Sequence, residues 1–378
     1  MKIPKLKVNN QYRLKNYNFI LALTVVALSI LGILFVGSAK ESLQSRQVFG
    51  VVVGIIFMVV VSLIDYTWIL SFSWPIYAIS IGSLLAVLVI GTSVNGAKRW
   101  INLGFTTFQP SELTKILLIL FFSKFIMDHK EEINDRWTLI RYAALCAIPL
   151  GLILIEPNLS TTLCTAMVLA FLIYIGGLSY RFIGTVLAIL LPVGAIFIFI
   201  AIQPNQPFLH DYQQKRILAF INPDEYASDE AYQQNNSEMA IGSGQLLGKG
   251  LNNNTTTSVK NGNYILEPQT DFIFAIIGEE LGFVGGCIVI ALILLIVIQC
   301  IRIGIRAKDL AGKIICCGVG GLIGFQSFIN IGVATNMLPN TGVPLPFVSY
   351  GLTSLVSLYI GIGLVLNVAL QPKTYQMR

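Results

Sequence analysis

The sequence predicts an all-α integral membrane protein, and its composition gives the first reason. Of the 378 residues, 55% are hydrophobic and only 12% are charged, and the mean hydropathy is +0.74. A soluble domain carries charge on about a quarter of its residues. Two further observations support the prediction: the apolar residues form runs of membrane-spanning length, and the basic residues lie mainly between those runs.

Apolar segments recur along the whole chain, and most are long enough to cross a hydrocarbon core of roughly 30 Å once tilt is allowed. We therefore predict ten transmembrane helices, in segments 19–36, 48–64, 75–91, 113–127, 139–155, 159–176, 182–202, 272–300, 314–335 and 351–370.

The N-terminal 18 residues are rich in lysine and arginine and precede the first apolar segment. No small-residue cleavage motif follows that segment at the expected point, and the segment is long enough to span. The prediction is a retained first helix preceded by a cytoplasmic tail, residues 1–18. A cleaved signal peptide is the rejected alternative.

The distribution of basic residues predicts the topology. If the N-terminus is cytoplasmic, most of the 25 lysines and arginines flank helices on the inner side, as the positive-inside rule requires. An even number of helices places the C-terminus there too. We predict a single polytopic domain over residues 1–378, with a large extracellular loop, 203–271, between helices 7 and 8. The link at 156–158 fits either a turn between two spans or the break of a re-entrant pair.

Composition and spacing argue against several function classes. The basic residues form no stripe with interleaved aromatic residues, so nucleic-acid binding is not predicted. The six cysteines lie in or beside apolar segments without Cys-x-x-Cys spacing, and we interpret them as small hydrophobic residues. With only His129 and His210 in the chain, a zinc site is not predicted.

The first outer polar segment, residues 92–111, leads into a helix with charges at the membrane boundary. Lys98 and Arg99 precede Trp100, which fits either an interfacial anchor or a phosphate site. Glu112 and Lys115 lie at i and i+3, a spacing that allows a simple intrahelical ion pair. Because charge is costly beside an apolar span, a functional role for Lys115 is the alternative.

The second outer segment, residues 203–270, is too long for a simple connector. Its glycine-rich stretch, 242–250, offers tight turns whose backbone N–H groups can bind an anion. It lacks the strand and helix of a nucleotide loop, so a Walker or Rossmann site is not predicted. The third outer segment, 336–350, contains three prolines. They forbid a continuous helix, and irregular backbone at this depth requires surrounding protein or a watery cavity.

Asp271 stands where the second outer segment meets the eighth apolar segment. An ionised group there must be hydrated or paired, so function is the default hypothesis. The alternative is a helix-start residue favoured by the helix dipole. In a helix starting at Thr270, the acid shares one face with Ala275, Gly278 and Gly282. That face is small, which leaves room for a neighbouring helix or a lipid tail.

Four motifs, in this order, resemble the SEDS proteins (shape, elongation, division and sporulation). They are Gln-Pro-Ser-Glu at 109–112, Ala-Ile-Gly-Ser-Gly with Gly-Lys-Gly at 240–250, Glu-Pro-Gln-Thr-Asp-Phe-Ile-Phe with Gly-Glu-Glu-Leu-Gly at 267–282, and Thr-Gly-Val-Pro-Leu-Pro-Phe-Val-Ser-Tyr-Gly at 341–351. The resemblance covers about residues 19–370. His-Asp-Tyr-Gln at 210–213, before Lys215 and Arg216, is more similar to the RodA branch than to the FtsW branch.

The resemblance implies a ten-helix glycosyltransferase that polymerises lipid II into peptidoglycan strands for cell-wall elongation. Lipid II and the growing lipid-linked strand would be its substrates. A single-span class B penicillin-binding protein, which supplies transpeptidation, would be its partner. The implied location is the plasma membrane, among membrane lipids, with the active site on the extracytoplasmic side.

The resemblance also implies roles for particular residues. The Asp of the Thr-Asp-Phe motif is required in that family, and it corresponds to Asp271, which we predict as the general base. Glu112 and Lys115 complete the predicted catalytic set, with Glu112 orienting Lys115. The predicted substrate ligands are Lys98, Arg99, Gln109, Ser111, Arg216, Lys249 and Ser349. Glu279 and Glu280 lie deeper in the helix, and we expect them to be structural.

A metal requirement is not decided by the sequence. No cofactor is certain, but Mg²⁺ is often held by one carboxylate plus substrate phosphates. A divalent cation, Mg²⁺ or Mn²⁺, that bridges Asp271 or Glu112 to the lipid diphosphate is therefore compatible with the predicted site.

The chain departs from the usual SEDS pattern at three places. Leu266 stands where Pro is usual, and Leu352 and Thr353 replace a usual Gly-Ser. Gln269 occupies a position where His is common, which removes the nearest histidine as a candidate base. The acid itself is present, so these changes affect the expected fine geometry and not the predicted activity.

Two rival functions make different predictions for the sequence. A lipid-linked precursor flippase or transporter predicts inverted internal repeats, and no convincing repeat is found in the sequence. A non-catalytic scaffold for the penicillin-binding protein would have no need for an acid opposed by several cations. Small-residue faces, such as the glycines at 320, 321 and 324, serve helix docking in either case.

Overall fold

The computed structural model describes residues 16–94, 97–102, 104, 107–203, 214, 218, 220–221, 230–252, 258, 264–265 and 267–371. The predicted ligand Arg216 and the RodA-like stretch at 210–213 lie outside these residues, as does most of the N-terminal tail.

The first half of the described chain is a series of helices interrupted by one small sheet. The helices are α1 (Phe19–Ala39), α2 (Glu41–Leu63), α3 (Tyr66–Leu70), α4 (Ser73–Ile90), α5 (Pro110–Asp128), α6 (Arg136–Ile155), α7 (Leu159–Ile175) and α8 (Tyr180–Ile202). Between α4 and α5, strands β1 (Thr92–Val94), β2 (Ala97–Asn102) and β3 (Thr107–Phe108) form an antiparallel sheet in the order β1-β2-β3.

This sheet corrects the all-α prediction in one detail. The sequence predicts an outer polar segment at 92–111 and no strand, although the Asn-Gly dipeptide at 95–96 is a strong hairpin signal. The two longer strands pair antiparallel on either side of that dipeptide. The sheet brings Lys98 and Arg99 onto one short strand beside the helix ends.

The second half of the chain begins with a helix that the sequence did not predict. It is α9 (Glu230–Ser243), inside the predicted loop, and it is followed by α10 (Ile273–Ile305), α11 (Leu310–Ala334) and α12 (Leu352–Leu370). α9 is polar, and its side chains donate hydrogen bonds to backbone carbonyls elsewhere in the chain. Gln234 donates to Leu338 O (2.8 Å) and Ser237 to Ala334 O (2.7 Å). Its side chains thus satisfy carbonyls at and beyond the end of α11.

Each predicted apolar segment falls on a helix of this fold. In the described residues, seven helices are long and apolar enough to cross a membrane: α1, α2, α4, α6, α10, α11 and α12. α7 is apolar but shorter. The link at 156–158 is a turn that separates α6 from α7. The chain is therefore a mostly helical, multi-pass membrane protein.

Helices α11 and α12 form the centre of the bundle. In the apolar stretch of each of these helices, 72% of the residues are buried, against 28% in α6. α2 packs closely on α12 because Gly54 leaves room for the ring of Tyr359 and Gly363 lies against the backbone of Met58. Small residues permit such approach in membrane helices, where packing replaces the hydrophobic effect between helices.

The two ends of the bundle differ in construction. The Asp271 end contains the sheet, α9, the turn before α10 and the segment 336–351. The opposite end contains short connections between helices, including residues 64–72 and 306–309. There Tyr66 N donates to Asn367 Oδ1 (2.9 Å) and Tyr66 OH to Asp309 Oδ2 (2.8 Å), which ties three helix ends together.

Candidate active site

Asp271 lies in a turn immediately before α10. The turn is closed by a bond from Thr270 N to Glu267 O (3.1 Å), and the helix begins at Ile273 with Phe272 as its N-cap. The expected helix start at Thr270 is therefore wrong by three residues. Because Asp271 precedes the helix, the neighbouring loops decide its position, and its side chain is partly exposed.

The predicted small face below Asp271 is also corrected. Gly282 adopts φ +67° and breaks α10 into two helical parts, so that face is not continuous. Gly278 lies against Ile241 of α9, where an added Cβ would come within 2.9 Å. The space expected for a neighbouring helix or a lipid tail is occupied, at Gly278, by a helix of the chain's own large loop.

The glycine-rich stretch replaces the hydrogen bonds that the kink removes from α10. Lys249 N and Gly250 N donate to Glu279 O (2.9 Å) and Glu280 O (3.0 Å), while Phe283 N and Val284 N donate to Gln245 O (2.8 Å) and Leu246 O (3.1 Å). Gly244 and Gly248 lie so close to α10 that a Cβ would collide with its carbonyls. The N–H groups of Lys249 and Gly250, which were candidates for binding an anion, thus bind carbonyls of α10.

Lys249 has an ionic partner in the same region. Its Nζ lies 2.9 Å from Oε1 of Glu279, whose side chain is 1% exposed, and Ser258 Oγ lies 3.3 Å from Oε2. Ser38 donates to the carboxylate of Glu280. Both acids are buried and paired within the protein, and their structural role stays a prediction. The structure gives Lys249 a partner on α10, and its predicted role as a substrate ligand stays a prediction.

The proline-rich segment 341–349 lies against Asp271. A Cβ on Gly342 would lie 3.3 Å from Oδ2 of Asp271, and Gly342 has φ +72°. Asn330 of α11 donates from Nδ2 to the carbonyls of Asp271 and Val343, both at 2.7 Å. One buried amide therefore fixes the backbone of the acid and the backbone of the facing loop at the same point.

The predicted pair Glu112 and Lys115 is present and buried. Lys115 Nζ lies 2.8 Å from Glu112 Oε1, and the two residues are 3% and 4% exposed. Lys115 also donates to Gln326 Oε1 (3.2 Å), and Gln326 Nε2 donates to Pro344 O (3.0 Å). Gln326 thus links the ion pair to the segment that faces Asp271. A buried pair needs such extra bonds because desolvation is costly.

Ser349 closes the other end of the proline-rich segment. Its Oγ donates to Thr270 O (2.6 Å) and accepts from Leu345 N (2.8 Å), while Gln47 Nε2 lies 3.3 Å from Ser349 O. Tyr350 N donates to the carbonyl of residue 269 at 2.9 Å. These bonds hold the segment on the turn that carries Asp271. They give Ser349 a structural contact, and substrate binding by Ser349 stays a prediction.

The Gln-Pro-Ser-Glu motif places its polar groups at the start of α5. Gln109 Nε2 lies 3.3 Å from Oγ of Ser111, which is fully buried, and Gln109 N donates to Thr353 Oγ1 (3.2 Å). Pro110 occupies the first turn, where its missing N–H costs nothing. The motif therefore orients Glu112 and Lys115 on the helix face that meets α11.

The hairpin residues have different surroundings. Lys98 is exposed on β2. Arg99 is half-buried, and its guanidinium donates to Glu156 O (3.2 Å) and to Pro157 O, which fastens the sheet to the turn between α6 and α7. Burial raises the pKa of the Glu156 carboxyl to about 8, although the nearby positive charge of Arg99 opposes this. The start of α7, which follows this turn, reaches the site, since Ser160 donates to Thr341 O.

Buried side-chain oxygens without a hydrogen-bond partner are concentrated at the Asp271 end. In the described part of the chain they include atoms of Gln47, Thr114, Glu156, Ser327, Asn330 and Thr341. Native proteins pair the great majority of buried polar groups with protein or water. Such a concentration indicates a region that water or a polar substrate reaches.

The described residues do not by themselves form a metal cage. No three His, Cys, Asp or Glu side chains come together in that part of the chain as a protein-only site requires. Mg²⁺ is often held by one or two carboxylates plus phosphates of the substrate. Asp271 and Glu112 remain the carboxylates that would take part in such a site.

Sequence reasoning missed three polar residues of this site: Gln47, Gln326 and Asn330. They are 0%, 0% and 1% exposed. Their signal was available, since a polar residue within an apolar helix is costly unless it is paired. Gln326 and Asn330 are also one turn apart on α11, and so share a face.

A family model and two curated relatives match this chain over most of its length. The model of the cell cycle protein family FtsW/RodA/SpoVE matches residues 14–374. A probable peptidoglycan glycosyltransferase FtsW of Geobacter metallireducens is 31% identical over 383 residues, which cover 96% of this chain and 97% of the relative. The peptidoglycan glycosyltransferase MrdB of Escherichia coli K12 is 32% identical over 349 residues, with 92% and 91% covered.

Solved structures share the fold. One is a chain from a study of the structural coordination of polymerization and crosslinking by a peptidoglycan synthase complex, with TM-score 0.77, 27% identity, and 93% of this chain and 97% of that chain covered. Another is the rod shape determining protein RodA of Thermus thermophilus, with TM-score 0.68, 27% identity, and 93% and 96% covered. Together with the motifs at 109–112, 240–250, 267–282 and 341–351, these matches show that the chain belongs to the FtsW/RodA/SpoVE family, the SEDS proteins.

Proposed function

We propose that this chain is a peptidoglycan glycosyltransferase of the plasma membrane that polymerises lipid II into glycan strands. The observation that carries the proposal is that Asp271 and the Glu112–Lys115 pair both lie against the proline-rich segment 341–349: Asp271 at Gly342, and the pair through Gln326 at Pro344. The names of its relatives, peptidoglycan glycosyltransferases FtsW and MrdB, support the same activity.

The reaction joins an acceptor sugar to a sugar that carries a lipid diphosphate. The 4-hydroxyl oxygen of the acceptor forms a bond to the anomeric carbon, the bond from that carbon to the diphosphate breaks, and the hydroxyl proton leaves. Asp271 accepts this proton as the general base, a role typically worth about 10²–10⁴-fold in rate. A single displacement of this kind inverts the anomeric configuration.

The departing diphosphate requires positive charge. Lys115 has three N–H donors, of which Glu112 and Gln326 each take one. The third would bind a phosphate oxygen of the substrate. Lys98, Arg99 and Arg216 are the further predicted ligands. If a divalent cation assists, Asp271 or Glu112 would hold it together with diphosphate oxygens, and it would neutralise the leaving group.

The topology we propose has ten spans in one polytopic domain, with both termini in the cytoplasm. Residues 1–18 then form a cytoplasmic tail, and residues 203–271 form a large extracellular loop that includes α9. The positive-inside distribution of lysine and arginine supports it. This orientation puts Asp271 on the extracytoplasmic side, where the disaccharide of lipid II is polymerised.

We also propose that the partner is a class B penicillin-binding protein. A structural relative belongs to a peptidoglycan synthase complex, whose study concerns polymerisation and crosslinking together. A glycan strand leaving this chain would then reach a transpeptidase. The proposed process is cell-wall elongation, because the stretch at 210–213 is RodA-like.

The test is polymerisation of labelled lipid II by the purified protein with its penicillin-binding protein, comparing wild type with Asp271→Asn. We expect strands from the wild type and, in the mutant, lipid II binding without strands. Asp135→Asn is the matched control, since Asp135 is an exposed N-cap at the opposite end and Asn caps equally well. Full activity of Asp271→Asn would remove Asp271 as the base.

The same assay separates the rival functions. A wild type that moves lipid II across vesicles without making strands would indicate a transporter. A wild type that does neither, but is required for crosslinking by its partner, would indicate a scaffold.

A further inference from the structure

A pocket at the opposite end of the bundle lies far from Asp271, at the other end of the same helix. It has a volume of about 600 Å³ and is formed where the start of α1 meets the ends of α10 and α12. Its lining residues include Asn18, Phe19, Ile20, Gln299, Arg302 and Arg306. The pocket is independent of the proposed catalytic site.

The charge of this pocket has one sign. Arg302 lies in the last turn of α10 and Arg306 is its C-cap; both are exposed and lie one turn apart, where like charges repel. Among the described residues that line the pocket, none is an acid. The pair is thus suited to an anion that both guanidinium groups can bind.

Hydrogen bonds hold one wall of the pocket in place. Gln299, which is 6% exposed, accepts a hydrogen bond from Asn18 Nδ2 (3.1 Å), and Asn18 Oδ1 accepts from Leu21 N (2.9 Å). These bonds fix the start of α1 against α10. The amide side chains therefore stand in a defined position beside the two arginines.

One side of the pocket continues into apolar surface. Phe19 and Ile20 are 63% and 57% exposed, and Leu23 one turn further on is 67% exposed. On α10, Ile301 and Ile305 are exposed as well. In a membrane protein, such a surface contacts acyl chains. A ligand that fits both parts has an anionic head and an apolar tail.

We propose that this pocket binds an anionic phospholipid of the leaflet opposite the Asp271 site, with its phosphate between Arg302 and Arg306 and an acyl chain along Phe19 and Ile20. Basic pockets between membrane helices bind anionic head groups in this way. The cationic tail that precedes α1 does not suit the pocket, because residues 1–15 carry five basic and no acidic residues. That tail instead adds to the attraction for anionic lipid.

The test is native mass spectrometry of the full-length protein released from nanodiscs of mixed phosphatidylglycerol and phosphatidylcholine. We expect wild type to retain phosphatidylglycerol preferentially and the double variant Arg302→Gln/Arg306→Gln to retain about tenfold less of it. The control is Arg136→Gln/Arg181→Gln, which removes two exposed charges of other helix starts. Equal retention by both double variants, or equal retention of the two lipids by wild type, would overturn the proposal.

A photocrosslink identifies the occupant directly. A benzophenone amino acid at position 20 should gain the mass of a phospholipid on irradiation in phosphatidylglycerol nanodiscs. Crosslinks to residues 1–15 in its place would show that the tail fills the pocket, and the proposal would fail. This readout does not depend on folding of the charge variants or on any enzymatic activity.

Discussion

The Asp271 end and the opposite end both contain buried asparagine side chains, but the hydrogen bonding of these side chains differs in completeness. At the opposite end, Asn367 accepts from Tyr66 N and Gln371 and donates to Ser62 O. At the Asp271 end, Asn330 donates twice, yet its Oδ1 has no partner in the described structure. The contrast teaches that the opposite end is arranged for stability, whereas the Asp271 end keeps polar atoms that a substrate can bind.

Backbone conformation follows the same division. Phe347, Asn336 and Glu267 have positive φ without being glycine, and all lie at the Asp271 end. Such conformations cost about 1–3 kcal/mol each and persist where the surrounding structure enforces them. The opposite end has ordinary helix caps. At one of them, Asp65, burial alone would raise the pKa of the carboxyl, but hydrogen bonds from Thr67 and Gln371 outweigh this effect, and the pKa lies below its usual value.

Among changes that leave Asp271 itself in place, the largest effect is expected from Gly342→Ala. The new Cβ would lie 3.3 Å from the Asp271 carboxylate and so displace it, and we expect polymerisation to fall about 10- to 100-fold. The matched control is Gly177→Ala, since Gly177 also has positive φ but has open space around it at the opposite end. Both variants carry backbone strain, so only the contact with Asp271 distinguishes them. Equal activity of the two would remove the role of this contact.

A smaller effect is expected from Gln326→Leu. The change removes the bridge from Lys115 to the Pro344 carbonyl, and we expect about a tenfold loss of strand formation with lipid II binding weakened. Gln371→Leu is the comparison at the opposite end, where the glutamine contacts Asp65 and Asn367. We expect that variant to lose thermal stability and to keep its activity per folded molecule. A steady-state polymerisation assay with a melting curve separates the two outcomes.

The smallest effect concerns pH. The pKa of Glu156 is raised to about 8 in the folded protein, so folding favours the protonated form. Stability from this group is therefore fully present at pH 4 and is lost as pH rises towards 8. Glu156→Gln mimics the protonated form, and we expect its melting temperature to fall less than that of wild type between pH 5 and 8. Parallel curves for the two proteins would contradict the burial of an acid at this position.

The sequence predicted the helical segments well because the lipid core requires long apolar runs. It missed α9 because this helix is polar and its partners are distant backbone groups, such as Leu338 O for Gln234. The sheet had a local signal, the Asn-Gly dipeptide at 95–96, which the prediction did not use. It also placed the helix start at Thr270, because spacing alone does not reveal the backbone bond that closes the turn there.

The site was only partly predictable for a related reason. The pair Glu112 and Lys115 is local in sequence and could be predicted from its i,i+3 spacing. The contacts of Asn330 with Asp271 and of Gln326 with Lys115 span 59 and 211 residues and depend on the assembled bundle. The kink at Gly282 similarly depends on the glycine-rich stretch that packs against it.

The most direct test of the difference between the two ends compares Asn330→Ala with Asn367→Ala, measuring polymerisation per folded molecule and melting temperature for both. Asn330→Ala should lose most polymerisation per folded molecule, because its amide holds the backbone of Asp271, and it should also melt lower, because the carbonyls of Asp271 and Val343 lose their partner. Asn367→Ala should melt lower and keep its activity, because it leaves Tyr66 N and Ser62 O without their partner. The reverse pattern, or the same pattern in both variants, would contradict the division of the molecule into a functional end and a structural end.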